Sequence, residues 1–217
     1  MIYFAHRLFN EEVAQDFRKR LLMSREWIDG VSSAKGSQLK RNLQFNRGEI
    51  HAQFSEEIIE IIKNDDLINN FSFPSKIFNL LFTRTGEGMF YGPHFDSPYI
   101  ESGRRDMSFT IFLNQPEDYK GGELILYIPP EKKQIKMKPG EMIIYPTKYL
   151  HEVKEVTEGE RMVCVGWIES QISKDDDREM LSMLKESINQ VIKNPGDSSY
   201  NLNLFTAYNN IYRRLIS

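Results

Sequence analysis

The sequence predicts a mainly β fold with flanking helices, a jelly roll whose short antiparallel strands form a double-stranded β-helix. Three observations carry this. Between Lys76 and Gln171, short apolar runs are punctuated by Gly and Pro, as strands joined by turns are. Met107, Phe109, Ile111 and Leu113 alternate strictly with other residues, as in a strand with one core face. Helical periods are confined to the segments before and after this block.

In chain order, Asn10 is an expected N-cap, with Glu11 and Glu12 in a first turn that favours negative charge and Val13, Phe17 and Leu21 at helical spacing. Residues 27–48, rich in Gly, Ser, Lys and Asn, have no clean period and read as loop or irregular strand. A second helix is expected over 52–68, with Phe54, Ile58, Ile61 and Ile62 inward. Strands are expected at 77–83, 107–113, 123–128, 134–137, 142–145 and 161–168, with turns at Pro139-Gly140 and Thr157-Glu158-Gly159. A helix over 175–192 starts on the acidic run Asp175-Asp176-Asp177, breaks at Asn194-Pro195-Gly196, and gives way to a last helix from about residue 201. The stripe Leu181, Leu184, Ile188, Val191 and Ile192 is expected to pack on the barrel, with a homodimer face as its alternative.

A chain of 217 residues fits one large domain, or one with an appendage: here 1–172 as the jelly roll with its N-terminal helical layer and 173–217 as a helical extension. The net charge of -3 offers no broad basic field for nucleic acid. No apolar run approaches the roughly 20 residues that cross a bilayer, and the first residues lack a signal-peptide layout, so a soluble, intracellular protein is expected. Cys164 is the single cysteine, which excludes an internal disulfide or a thiolate cluster and leaves N and O as metal ligands.

His94 and Asp96 are two apart, so on an extended segment both leave the same face and can grip one ion. Gly92 and Pro93 mark a tight approach, and Pro98 stops the strand just after. His151 follows a hydrophobic strand and a Pro146-Thr147 break; its bland alternative is an imidazole satisfied by a backbone carbonyl. Two His and one carboxylate on one face of an ion, with positions left open, is the arrangement of non-haem Fe(II) oxygenases. Arg161 suggests an organic acid as co-substrate, because its planar fork holds a carboxylate bidentately. A turn at 157–160 is expected to run Arg161 back beside the His151 segment, pairing near Val156, on the order of 15 Å along the strand from His151. Arg161, Val163, Val165 and Trp167 share a face too apolar for solvent; it should point into the barrel, where the arginine needs an anionic partner. His6 and His51 lack partnered spacing and read as structural, and Phe4, Phe71 and Phe73 as core.

Several ordered segments resemble the prolyl 4-hydroxylase branch of the Fe(II)/2-oxoglutarate oxygenases, in particular the bacterial and phage PKHD-type hydroxylases. They are Gly-Met-Phe-Tyr-Gly-Pro-His-Phe-Asp at 88–96, Arg105-Asp106, Asp-Tyr-Lys-Gly-Gly-Glu-Leu at 118–124, Pro-Gly-Glu-Met-Ile-Ile-Tyr-Pro at 139–146, Leu-His-Glu-Val at 150–153, and Gly-Glu-Arg at 159–161 leading to Trp167. Trp27-Ile-Asp-Gly30 and Lys40-Arg-Asn-Leu-Gln44 are similar to the PKHD opening. The resemblance implies that His94, Asp96 and His151 bind Fe(II), that Arg161 holds the distal carboxylate of 2-oxoglutarate, and that Tyr91 lies in the active site. It also implies O2 as oxidant, ascorbate as an ancillary ligand, and Trp167 and Arg105 on the substrate side. Two places depart from the pattern: Arg84 and Thr85 stand where a co-substrate tyrosine is usual, and Phe112 stands where animal oxygen-sensing relatives have another.

The reading that follows is a dioxygenase hydroxylating a proline in a peptide, with succinate and CO2 as co-products, and with Glu101-Ser102-Gly103-Arg104 as a candidate lid. The same centre acting on a free amino acid, small molecule or nucleobase is the alternative. A non-catalytic metal-binding jelly roll is a third reading, and would need neither Arg161 nor an open coordination position.

Overall fold

The computed structural model describes residues 3–31, 39–193 and 198–216. The chain opens with β1 (Phe4–Arg7) and α1 (Glu11–Ser24), capped as expected by the Asn10 side chain, which accepts from Val13 N at 2.9 Å. The buried stripe of α1 is Ala14, Phe17 and Leu21, so Val13 faces outward, 36% exposed, one position off the expected line. The segment read as loop or irregular strand supplies β2 (Trp27–Asp29), β3 (Lys40–Arg41) and β4 (Leu43–Phe45). Instead of one helix over 52–68 there are two, α2 (Glu49–Lys63) and α3 (Asp66–Ser72). The Asp65 carboxylate accepts from Ile68 N at 2.9 Å and starts the second afresh, while its other oxygen meets His6 Nε2 at 2.7 Å.

The strand block continues with β5 (Pro74–Thr85), β6 (Phe90–His94), β7 (Tyr99–Ile100), β8 (Gly103–Arg104), β9 (Met107–Phe112) and β10 (Tyr119–Gly121). It ends with β11 (Leu124–Ile128), β12 (Glu131–Ile135), β13 (Glu141–Pro146), β14 (His151–Val153), β15 (Val156–Gly159) and β16 (Arg161–Ser170). A seven-stranded sheet has the order β1-β13-β9-β16-β5-β4-β2, and a five-stranded sheet the order β12-β11-β14-β6-β3. The non-sequential neighbours and antiparallel pairings give the jelly roll.

All six residues of β9 are buried, not one face alone. Met107, Phe109 and Ile111 join Phe17, Leu21, Phe54 and Ile58 of the helical layer, whereas Phe112 packs between the sheets with Leu124, Leu126 and Val163. A central strand covered by helices on one side and by a second sheet on the other has no solvent face, so its alternation separates two interiors.

The Pro139-Gly140 turn forms as expected: Gly140 has φ 81°, and a Cβ there would stand 2.1 Å from Phe9 O. Thr157-Glu158-Gly159 is different. These residues extend as β15 and pair with β10, and β16 then enters the seven-stranded sheet between β9 and β5. Arg161 therefore pairs with Thr85, and the expected hairpin beside the His151 segment does not exist. Strand β14 belongs to the opposite sheet, where it pairs with β6 and β11.

At the end of the chain lie α4 (Asp175–Lys193) and α5 (Ser198–Leu215). Leu181 and Ile188 are buried with Phe73, Ile172 and Tyr208, and α4 packs on α3 and α5, but Ile192 is 55% exposed and leaves the expected stripe. Asp175 is not simply solvated: it pairs with Lys148 at 2.9 Å and with the buried Arg178. The break at 194–196 lies outside the described residues. Phe71 and Phe73 are core, Phe4 packs against it half-buried, and His51 is held by Leu80 O at 2.9 Å. Among the described residues no helix is long and apolar enough to cross a membrane.

Candidate active site

The two sheets enclose a cavity of about 620 Å3, open on one side. On its five-stranded wall β6 and β14 run antiparallel with His94 and His151 as direct partners. Each imidazole is oriented by its own strand: His94 Nδ1 bonds Gly92 O at 2.8 Å and His151 Nδ1 bonds Tyr149 O at 3.0 Å. A carbonyl only accepts, so each Nδ1 carries a proton and Nε2 is the atom left to ligate. Those Nε2 atoms converge on Asp96, with His94 Nε2 3.9 Å from Oδ1 and His151 Nε2 3.8 Å from Oδ2. Asp96 is fixed from the other sheet, since Ser108 Oγ at 3.0 Å and Trp167 Nε1 at 2.9 Å both donate to Oδ2. Two imidazole nitrogens and one carboxylate, their ligand atoms all within 4.8 Å, can hold one divalent ion on one face. Burial, and then the neighbouring His151, pull His94 down to about 4, so its lone pair is free at neutral pH. Tyr91 stacks on His94, ring centroids 3.6 Å apart and planes at 11°.

Arg161 reaches the same cavity from the seven-stranded wall, only 2% exposed. Its guanidinium lies against the Tyr119 hydroxyl and 5.5 Å from the Phe112 ring centroid. Arg161 Nε and the Tyr119 hydroxyl are both buried without a hydrogen-bond partner, and among the described residues no carboxylate pairs with Arg161. Burial pulls the guanidinium below its ordinary value, opposed by Tyr119 and Tyr145. A buried cation with unused donors calls for an anion. Of the two departures at 84–85, Thr85 lines the cavity, while Arg84 turns away to bond Glu160 at 2.9 and 2.6 Å. Trp167 and Arg105 also line the cavity, the Arg105 guanidinium 3.9 Å over the indole. The expected lid segment forms the β7–β8 hairpin, in which Arg104 bonds Asp106 Oδ1 at 2.8 Å and Ser170 O at 2.8 Å.

Residues 80–169 match the family model of the 2OG-Fe(II) oxygenase superfamily. A PKHD-type hydroxylase of Prochlorococcus marinus (strain MIT 9313) is 40% identical over 214 residues, covering 97% of both chains. The chain belongs to this family. It is thus a 2OG-Fe(II) oxygenase, a dioxygenase working with Fe(II) and 2-oxoglutarate, which sets aside the non-catalytic reading. Among solved structures, a Pseudomonas putida prolyl-4-hydroxylase shares the fold with TM-score 0.58 at 16% identity, over 77% of this chain and 92% of that one. A prolyl hydroxylase from Trichoplax adhaerens, in complex with a hypoxia inducible factor oxygen degradation domain peptide fragment, has TM-score 0.56 at 15% identity, over 83% and 86%.

The residues present fit the cofactors of this family. The convergent Nε2 lone pairs suit Fe(II), and the orphaned donors of Arg161 and Tyr119 suit a carboxylate. His94, Asp96, His151, Tyr91, Arg161, Arg105 and Trp167, the site residues expected from the sequence, all line one cavity. Lys40, Asn42 and Gln44, which have no role in the sequence reading, also line it and are buried. Their polar i, i+2 alternation was the available signal. Tyr145 lies in a run that reads simply as core, while Tyr119 falls outside every expected strand, in the segment 118–124 noted for its family resemblance.

Proposed function

We propose that this chain hydroxylates a proline within a peptide, and that His94 and His151 through Nε2 and Asp96 through Oδ1 hold its Fe(II). Bound Fe(II), with 2-oxoglutarate and O2, supplies the oxidation of a C–H to a C–OH bond, giving succinate and CO2. Arg161 takes the distal carboxylate of 2-oxoglutarate, with the Tyr119 hydroxyl as a second donor in place of the tyrosines missing at 85 and 112. Trp167 and Ser108 keep Asp96 in its ligating rotamer. Tyr91 stacks against His94 and keeps water from that side of the centre. Ascorbate as reductant, and a division into a 1–172 oxygenase unit and a 173–217 extension, belong to the same reading.

One observation carries the assignment: two fixed imidazole lone pairs and a pinned carboxylate share a cavity with a buried guanidinium that lacks an anion. The peptide reading is supported by the names of the relatives and by Phe95 and Tyr99, 65% and 64% exposed close to the ligands, which offer an apolar landing for a chain. The test is anaerobic loading with Fe(II) and 2-oxoglutarate, admission of O2, and mass analysis of a proline-peptide library. A +16 Da peptide and matching succinate are expected, both lost in His94→Ala and Asp96→Ala. Unchanged succinate formation in those variants refutes the site, and hydroxylation confined to non-peptidic compounds refutes the substrate.

A further inference from the structure

The cavity holds more positive charge than Fe(II) and 2-oxoglutarate account for. Besides Arg161, it is lined by Lys40, Arg47 and Arg105, against the single carboxylate of Asp96. Summed over the cavity, Fe(II), the 2-oxoglutarate dianion, Asp96 and Arg161 cancel. Lys40 is engaged within the protein. Arg47 and Arg105 remain.

Each has one orienting contact, Arg47 as an exposed side chain and Arg105 as a half-buried one. Arg47 Nη2 donates to Asn79 Oδ1, and Asn79 lies in the left-handed region with φ 55°. It does so where β5 slips against β16, between the pairs formed by Val165 and Trp167. A non-glycine residue in that region costs roughly 1 kcal/mol, and bulges beside active sites serve to re-aim a side chain. Here the re-aimed side chain lines the cavity and anchors an arginine. Arg105 stacks on Trp167, the indole that holds Asp96, so its guanidinium is tied to the metal-binding carboxylate through one rigid ring. Arg105 Nε is buried without a partner, and among the described residues no carboxylate pairs with it. Burial lowers its proton affinity by more than the nearby Asp96 and Tyr91 raise it.

We propose that Arg47 and Arg105 form a clamp for a carboxylate on the substrate, so that the molecule taken up is acidic beside the carbon to be oxidised. This rests on the cavity being the substrate site and deepens that reading, but it does not require the target to be a peptidyl proline. For a peptide, the clamp selects a proline with Asp, Glu or the C-terminal carboxylate within a few residues. For a small molecule, it selects a free acid over its amide.

The test is binding without turnover, with the protein loaded with Mn(II) and 2-oxoglutarate under nitrogen. Fluorescent proline peptides carrying Glu or Gln at each flanking position are followed by anisotropy, and N-acetylproline and its amide by calorimetry. At the preferred position Glu is expected to bind about tenfold tighter than Gln, and that ratio to fall to about one in Arg47→Gln and Arg105→Gln. Arg105→Lys retains part of it, and Lys120→Gln on the surface leaves it unchanged. A merely structural loss would weaken Glu and Gln peptides alike and keep the ratio. The clamp is overturned if acid and amide bind equally in the parent protein, if the preference survives in both arginine variants, or if no acid binds. Preference for the free acid with no peptide bound keeps the clamp and sinks the peptide reading.

Discussion

Replacing Trp167 by Phe removes one N–H from Asp96 while keeping an aromatic ring over which Arg105 can lie. Asp96 Oδ2 has two donors, Trp167 Nε1 at 2.9 Å and Ser108 Oγ at 3.0 Å. A hydrogen bond to a charged group contributes about 1.5–3 kcal/mol, and the surviving donor and entering water recover part of that. At about 1.4 kcal/mol per tenfold, Trp167→Phe should weaken metal binding roughly tenfold, and Trp167→Phe with Ser108→Ala roughly a hundredfold. Anaerobic calorimetry with Mn(II) reads this directly. The smaller ring also loosens contacts with Phe78 and Leu81, a stability loss independent of metal and visible in apo denaturation. A double variant whose metal Kd stays within about twofold of the parent would refute the idea that these donors orient a ligand.

Three further outcomes follow from the same geometry. Arg161→Met should raise apo stability by about 1–3 kcal/mol, since a buried cation gives way to an apolar chain, and should abolish stabilisation by 2-oxoglutarate; thermal melts with and without it check both signs. Gly121→Ala should cost about 2–4 kcal/mol, because φ is 71° and a Cβ there would stand 2.0 Å from Glu155 O, where backbone has to move; urea unfolding measures it. Burial lowers Lys40 from the ordinary 10.5 to about 8, against the pull of Asp96 and Asp29. The unfolded chain binds the extra proton between those values, so wild-type stability rises as pH climbs from about 8 to 10.5. Lys40→Met should therefore stabilise the apo protein by up to about 3 kcal/mol below pH 8, with the gain vanishing above pH 10.5 in denaturation curves.

What the sequence makes legible depends on how local the cause is. The cap on Asn10, the stripe Phe17 and Leu21, and the pair His94 and Asp96 are set within a few residues and are readable there. The break at Asp65 had a local cause too, a capping carboxylate, but the apolar spacing of Ile61, Ile62 and Ile68 ran across it and masked it. Arg161 reaches the cavity, but not through the hairpin the sequence suggests. Its alternation with Trp167 is local and holds, whereas its neighbour is decided by β15 pairing with β10 and sending β16 to the other sheet. No short-range pattern encodes that crossover. The burial of both faces of β9 likewise depends on helices and strands far away in sequence.

The two imidazoles are aimed by carbonyls two residues upstream, Gly92 for His94 and Tyr149 for His151. The orienting half of each imidazole thus travels with it in a three-residue cassette, and the two cassettes meet because their strands are partners. Nothing on the seven-stranded wall is needed to choose the tautomer. On or beside that wall, Arg47, Asn79 and Arg105 can change with the substrate while the nitrogens keep facing the same point, so long as Trp167 and Ser108 still hold Asp96 and Arg161 stays.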